Sequence, residues 1–364
     1  MTSDTPPTGS AGSRSRDNSG SPAGAATWPV GAATGIGPLP GTDIDEAVRT
    51  IAGELTQLPY LPELSDRGVG ADTVGRTLAQ LTDIHAEVVP SGWRICSRPG
   101  RDARRAKDFR SWDADAAERH LAGAPMVKVH LLGPWSLAAR LELPNGHRAV
   151  SDHGAVADLS ASLSNGTSEY LADLESRLPS TRIVLQVEEP ELERVLGGTL
   201  PTPSGFGTVP SVAADTVRRE LESFVEAVDA GGAVGRRAWA VSGVRPGELW
   251  AMLRGAGFAG LICTLDDLSA GAGRLDAIGE AVQNSARLWV CLAAGSLPEA
   301  GRRLLAGWNR IGFSAELLPD VVVPVAGPAP TDLGSIAEHL SIARQLAEAL
   351  PDPPDSWTGG GRGR

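Results

Sequence analysis

The chain has 364 residues, of which 41% are hydrophobic and 21% charged, a balance that supports a sizeable core and excludes a wholly disordered polyampholyte. A formal charge of −11 and a pI near 5.1 exclude a general affinity for nucleic acid, which needs a basic surface to meet phosphates. No apolar run approaches the roughly 18 residues of a membrane span.

Cys96, Cys263 and Cys291 are odd in number and widely spaced, which suits a reducing cytosol better than a disulfide framework. The opening residues lack the compact apolar core of a signal peptide, so the expectation is a cytoplasmic protein with neither a membrane nor a nucleic-acid partner. The sequence leaves the oligomeric state open. Residues 1–32, rich in Ser, Gly, Pro and Ala, read as a disordered tail, and 351–364 as a second one. Residues 33–350 have no long low-complexity linker and read as one domain.

Thr42 stands as an N-cap with Asp45 in capping-box position, and Ile44, Ala47, Val48, Ile51, Leu55 and Leu58 follow at helical spacing. Eight short apolar runs come next: "WRIC", "MVKVHLL", "RIVLQV", "AWAVS", "GLICTL", "RLWVCLA", "FSAEL" and "VVVPV". Amphipathic helical patterns separate several of them, often closed by glycine. Alternating strands and helices predict an α/β fold with a parallel sheet, and about eight strands over this length predict a single closed (βα)8 TIM barrel. Neither a G-x-G-x-x-G after a strand nor a phosphate-binding G-x-x-x-x-G-K-[ST] is present.

Side-chain alternation then selects candidate site residues, because barrel sites gather at the C-terminal ends of strands. In "RIVLQVEEPELERVL", Ile183, Leu185 and Val187 share the face expected to meet the helices. Gln186 and Glu188 share the other face with Val184, and in "MVKVHLL" Lys128 and His130 point together in the same way. Polar groups on an inward face belong to a site rather than to a packed layer. Pro190 is expected to open the next helix at its first position.

"QVEEPELERVL" resembles the I-D-E-P-A segment of the cobalamin-independent methionine synthase catalytic barrel, and "TGIGPLPGT" resembles that family's G-S-[FW]-P-[QG]-T opening. "HLLGPWSLAARLELPNGHRAVSDHGA" and "PTPSGFG" are similar to segments of shorter single-barrel relatives, and the order of these motifs agrees over most of residues 33–350. The resemblance implies methyl transfer from a methylated folate to the homocysteine thiol, with zinc holding the sulfur as a thiolate. Zinc removes the proton that a free thiol would keep at neutral pH.

Carried over position by position, the family's His-x-Cys pair falls on Ser242 and Val244, its carboxylate on Asp266 and its last cysteine near Val323. Valine cannot ligate zinc, and serine is a poor ligand. Pro38 also stands where the family has a serine, and Glu188 where it has an aspartate. The reading is therefore a methionine synthase-like barrel whose zinc-dependent activity is degenerate, with no cofactor predicted and methylated folate as a possible co-substrate. Its partner is expected to be a small molecule, homocysteine-like or folate, held by Glu188, Gln186, Lys128, His130, Ser242 and Asp266, with the catalytic residues unassigned. The alternatives are a metal-free ligand-binding or regulatory barrel, and a metal-free enzyme by analogy with the uroporphyrinogen decarboxylases.

"RICSRPGRDARRAKDFRSW" concentrates Arg98, Arg101, Arg104, Arg105, Lys107 and Arg110 in an otherwise acidic chain. It reads either as a solvated helix face or as a landing patch for an anionic ligand.

Overall fold

A computed structural model describes residue 29 and residues 31–232, 237–328 and 333–357. The ten strands among them are β1 (Thr34–Gly35), β2 (His85–Val89), β3 (Gly92–Cys96), β4 (Met126–Leu132), β5 (Leu141–Glu142), β6 (Arg182–Glu188), β7 (Arg237–Ser242), β8 (Gly260–Thr264), β9 (Arg287–Leu292) and β10 (Val322–Ala326). Around them lie α1 (Ile44–Glu54), α2 (Thr73–Leu78), α3 (Arg101–Leu121), α4 (Pro134–Arg140), α5 (His153–Arg177) and α6 (Leu192–Gly197). The second half adds α7 (Ala214–Ala230), α8 (Leu249–Gly255), α9 (Ala272–Gln283), α10 (Leu297–Ile311), α11 (Leu318–Val321) and α12 (Leu333–Ala349).

Seven strands form one parallel sheet in the order β1-β10-β9-β8-β7-β6-β4, which curls into a nearly closed barrel. The gap between β4 and β1 is spanned by the extended segment Leu58–Leu64 rather than by a regular eighth strand. Lys128 N donates to Pro59 O at 2.8 Å and Leu61 N to Lys128 O at 2.9 Å; on the other side Glu63 N donates to Gly37 O at 3.1 Å and Leu39 N to Glu63 O at 2.8 Å. Pro59 and Pro62 supply no N–H, so this segment makes bridges instead of a ladder.

Two of the eight apolar runs do not enter the barrel. "WRIC" lies in β3, within a separate three-stranded sheet β2-β3-β5, and most of "FSAEL" forms a 3-10 turn at Ala315–Leu317. The barrel takes its first strand instead from the two-residue β1. The first helix is capped by Asp43, not Thr42: its side chain accepts from Glu46 N at 3.0 Å. Pro190 lies in the turn before α6 rather than at its first position.

The core has two parts. Between barrel and helices, Ile183, Leu185 and Val187 pack with the helix faces. Inside the barrel, Met126, Val184, Ala238, Ala240, Ile262, Trp289, Val323 and Val325 make a separate apolar floor with Leu58. Trp289 fits there because Gly260 has no side chain: a Cβ on it would stand 2.9 Å from the indole Nε1 and 3.0 Å from Ala240 Cβ. Of the two expected tails, residues 1–28 and 358–364 lie outside the described residues; within 351–357 the chain forms a 3-10 turn and buries Trp357. Among the described residues, no helix is long and apolar enough to cross a membrane.

Candidate functional site

Above the apolar floor the inward faces of β4, β6 and β7 turn polar. Lys128 Nζ donates to Gln186 Oε1 at 2.6 Å and to the Ile36 carbonyl at 3.1 Å, and lies 5.1 Å from the centroid of the Tyr60 ring. Gln186 Nε2 donates to the same carbonyl at 3.0 Å, to Glu188 Oε1 at 3.2 Å and to Ser242 Oγ at 3.3 Å. His130 Nδ1 lies 2.9 Å from Glu188 Oε1. The structure thus brings five sequence-predicted residues, Lys128, His130, Gln186, Glu188 and Ser242, into one network. The "TGIGP" segment joins it through the Ile36 carbonyl. Gly37 presses on the imidazole so closely that a Cβ would stand 2.7 Å from His130 Cε1, and its φ of +148° is one that favours glycine.

Two residues outside the barrel strands complete the network. Arg76, on α2, places Nη1 2.9 Å from His130 Nε2, and its Nε is 3.9 Å from Asp113 Oδ2 on α3. Arg67 grips the same carboxylate with two bonds of 2.7 and 3.2 Å. No local sequence pattern marks Arg76 or Asp113, because their partners are 54 and 46 residues away along the chain.

Burial sets the charge states. Lys128, fully enclosed, is pushed down to about 7 by desolvation and by the Arg76 charge, against the pull of Glu188. His130 is lowered by burial and by Arg76. Burial alone would raise the Glu188 carboxyl, but the His130 hydrogen bond, with Lys128 and Arg76, outweighs it and holds the group below its ordinary range. Glu188 therefore stands as a carboxylate at the end of β6 with its side chain 19% exposed, whereas the His130 side chain is 1% exposed. Both of its donors converge on Oε1, and among the described residues Oε2 accepts no hydrogen bond.

The neighbouring Glu189 points the opposite way. It is fully buried and accepts the Trp135 and Ser136 backbone N–H groups at 3.1 and 2.7 Å, so it serves as the N-terminal acceptor for α4. Desolvation pushes its carboxyl up to about 7.

Asp266 does not join the cluster. Its side chain is 87% exposed and pairs with Arg303, while Asp267 beside it is buried and bonds Thr264 and Arg274. The positions to which the methionine synthase resemblance assigns zinc ligands are thus a hydroxyl already engaged with Gln186, a buried Val244, an exposed Asp266 and Val323 in the barrel floor. This donor set does not fit zinc. Cys291 faces the barrel interior and Cys263 the helix layer, so the two do not share a face. Among the described residues, no three His, Cys, Asp or Glu side chains group as a metal site.

No family model matches the chain, and no curated protein does. Solved structures do. The B12-independent methionine synthase from Shewanella sp. W3-18-1, solved in complex with selenomethionine, aligns with a TM-score of 0.53 and 10% identity over 88% of this chain and 98% of that one. A variant of methylaspartate ammonia lyase from Clostridium tetanomorphum aligns with a TM-score of 0.43 and 11% identity over 90% and 60%. At such identities the likeness is one of fold: this chain is distantly similar in structure to a B12-independent methionine synthase.

Proposed function

We propose that this barrel binds a small amino-acid-like ligand at its mouth, with the Glu188 carboxylate receiving the ligand's ammonium group. The observation that carries the reading is Glu188 itself: inward-facing, hydrogen-bonded by His130 and Gln186, held charged by His130 with Lys128 and Arg76, and the most open member of an otherwise enclosed network. Gln186 and Ser242 orient it from β6 and β7, and Lys128 anchors Gln186 from below. In this reading Leu58–Leu64 acts as the missing strand of an eight-stranded barrel, supported by its bridges to Lys128 and Pro38. Methyl transfer through a zinc-held thiolate is not proposed, because Ser242, Val244, Asp266 and Val323 do not supply the donors.

Calorimetric titration of the full chain with methionine, homocysteine and a methylated folate, each with and without added zinc, tests this. The expected result is binding of the amino acids without zinc, weakened at least about tenfold by Glu188→Gln, as the loss of one charge-assisted bond predicts. A strict requirement for zinc, or equal affinity of the variant, overturns it.

A further inference from the structure

The arginine-rich stretch is a different feature from the barrel mouth. Arg98, Arg101, Arg104, Arg105 and Lys107 are exposed, and Arg110 half-buried, along the first half of α3 and the turn before it. With Asp102 and Asp108 they give residues 98–110 a charge of +4 in a chain whose total is −11, so the other residues together carry −15. Among the described residues none of these six cations makes an ion pair, whereas Arg67, Arg119, Arg177, Arg218, Arg245 and Arg274 all do. Three of the six are instead fixed by neutral groups. Arg104 donates to Pro99 O at 3.1 Å, Arg105 to Arg67 O at 2.9 Å, and Arg110 to Ala79 O and Gln80 Oε1, each at 3.2 Å. These bonds hold the guanidiniums in place without neutralising them. Arg101, Arg104, Arg105, Lys107 and Asp108 line an open concavity of about 570 Å³.

The same helix face continues into an apolar contact. Trp112, one turn beyond Asp108, is 54% exposed and meets Phe109 edge-on at 5.6 Å. The run from Arg101 to Trp112 covers roughly 16 Å of helix, the length of about five extended residues and too long for a single carboxylate or phosphate. Arginine outnumbers lysine five to one in the cluster, which suits forked recognition of carboxylates. The chain's own ends are not complementary: in residues 1–28 two aspartates balance two arginines, and residues 358–364 hold only arginines as charged residues.

We propose that this face of α3 is a docking surface for an acidic peptide segment of a partner protein, its carboxylates on Arg101, Arg104 and Lys107 and an apolar side chain on Trp112. Because α3 leads directly into β4, its N-terminal end lies on the same side of the barrel as Glu188, so a docked segment would sit beside the mouth.

Fluorescence anisotropy with the full chain and a labelled Glu/Asp-rich dodecapeptide containing one leucine tests the proposal. The peptide is expected to bind, to weaken steeply with salt, and to lose at least about tenfold in affinity in R101E/R104E/K107E, while its Gln/Asn counterpart does not bind. A control triple variant, R218E/R219E/R303E, with the same change in net charge, is expected to keep the affinity. Circular dichroism melting of both variants separates lost contacts from lost fold. Equal binding by R101E/R104E/K107E overturns the proposal. So does tighter binding of an oligothymidylate or of phosphatidylserine vesicles than of the acidic peptide.

Discussion

Arg76 lies 2.9 Å from His130 Nε2, and this contact decides where the imidazole carries its proton. A guanidinium can only donate, so Nε2 accepts and the proton sits on Nδ1, facing Glu188 at 2.9 Å. The arrangement keeps His130 neutral while Glu188 stays charged. In Arg76→Leu the lowering influence of Arg76 disappears, and the His130 pKa is expected to rise. Nitrogen-15 shifts of the imidazole, followed through pH, check both points: they should report the Nδ1–H form in the parent and a higher midpoint in the variant. An unchanged titration contradicts the assignment.

Lys128 makes a prediction of the opposite kind. Its folded value of about 7 lies below that of an exposed lysine, so the unfolded chain binds the extra proton first. This group's contribution to stability should therefore rise with pH between about 7 and about 10.4, the unfolded value. Lys128→Met is expected to flatten that rise, as read by denaturant titrations at both ends of the window.

For Glu189 the sign is reversed. Its folded value of about 7 stands above the ordinary carboxylate value, so the native state holds a proton that the unfolded chain has released. The contribution is full below about 4.3 and is lost as pH rises to about 7. Glu189→Gln should remove this decline, visible as a melting temperature that varies less than the parent's across the interval.

The barrel floor gives a packing test. A side chain at Gly260 would collide with Trp289 and Ala240, so Gly260→Val is expected to cost about 1–3 kcal/mol in chemical denaturation.

Trp357 supplies a second one. It is 5% exposed, within a stretch whose composition reads as a tail. Trp357→Ala should lower stability by about 3–5 kcal/mol, the usual cost of deleting a buried tryptophan.

Much of this architecture was legible in the sequence wherever strict alternation governed it. The period-two pattern of β4 and β6 places Lys128, His130, Gln186 and Glu188 on one face, and in the folded barrel they meet there. Where alternation was absent, reading by apolar runs misled. "WRIC" and "FSAEL" carry strand-like composition, but one pairs in the side sheet and the other closes into a tight turn. The segment Leu58–Leu64 was hidden by its prolines, and β1 by having only two residues. Asp266 was chosen by its spacing from a motif, a measure blind to which way a side chain leaves a loop. Arg76 and Asp113 act across long stretches of chain, and no local pattern announces such a partnership.

The back-to-back placement of Glu188 and Glu189 has an evolutionary corollary. One carboxylate serves the cavity and its immediate neighbour serves the helix scaffold, so inserting or deleting a single residue within β6 would exchange their surroundings and damage both at once. Point substitution at Glu188 leaves the scaffold's acceptor untouched. Diversification of ligand preference in descendants of this barrel should therefore proceed by exchanging side chains at that position while the length of the strand stays frozen.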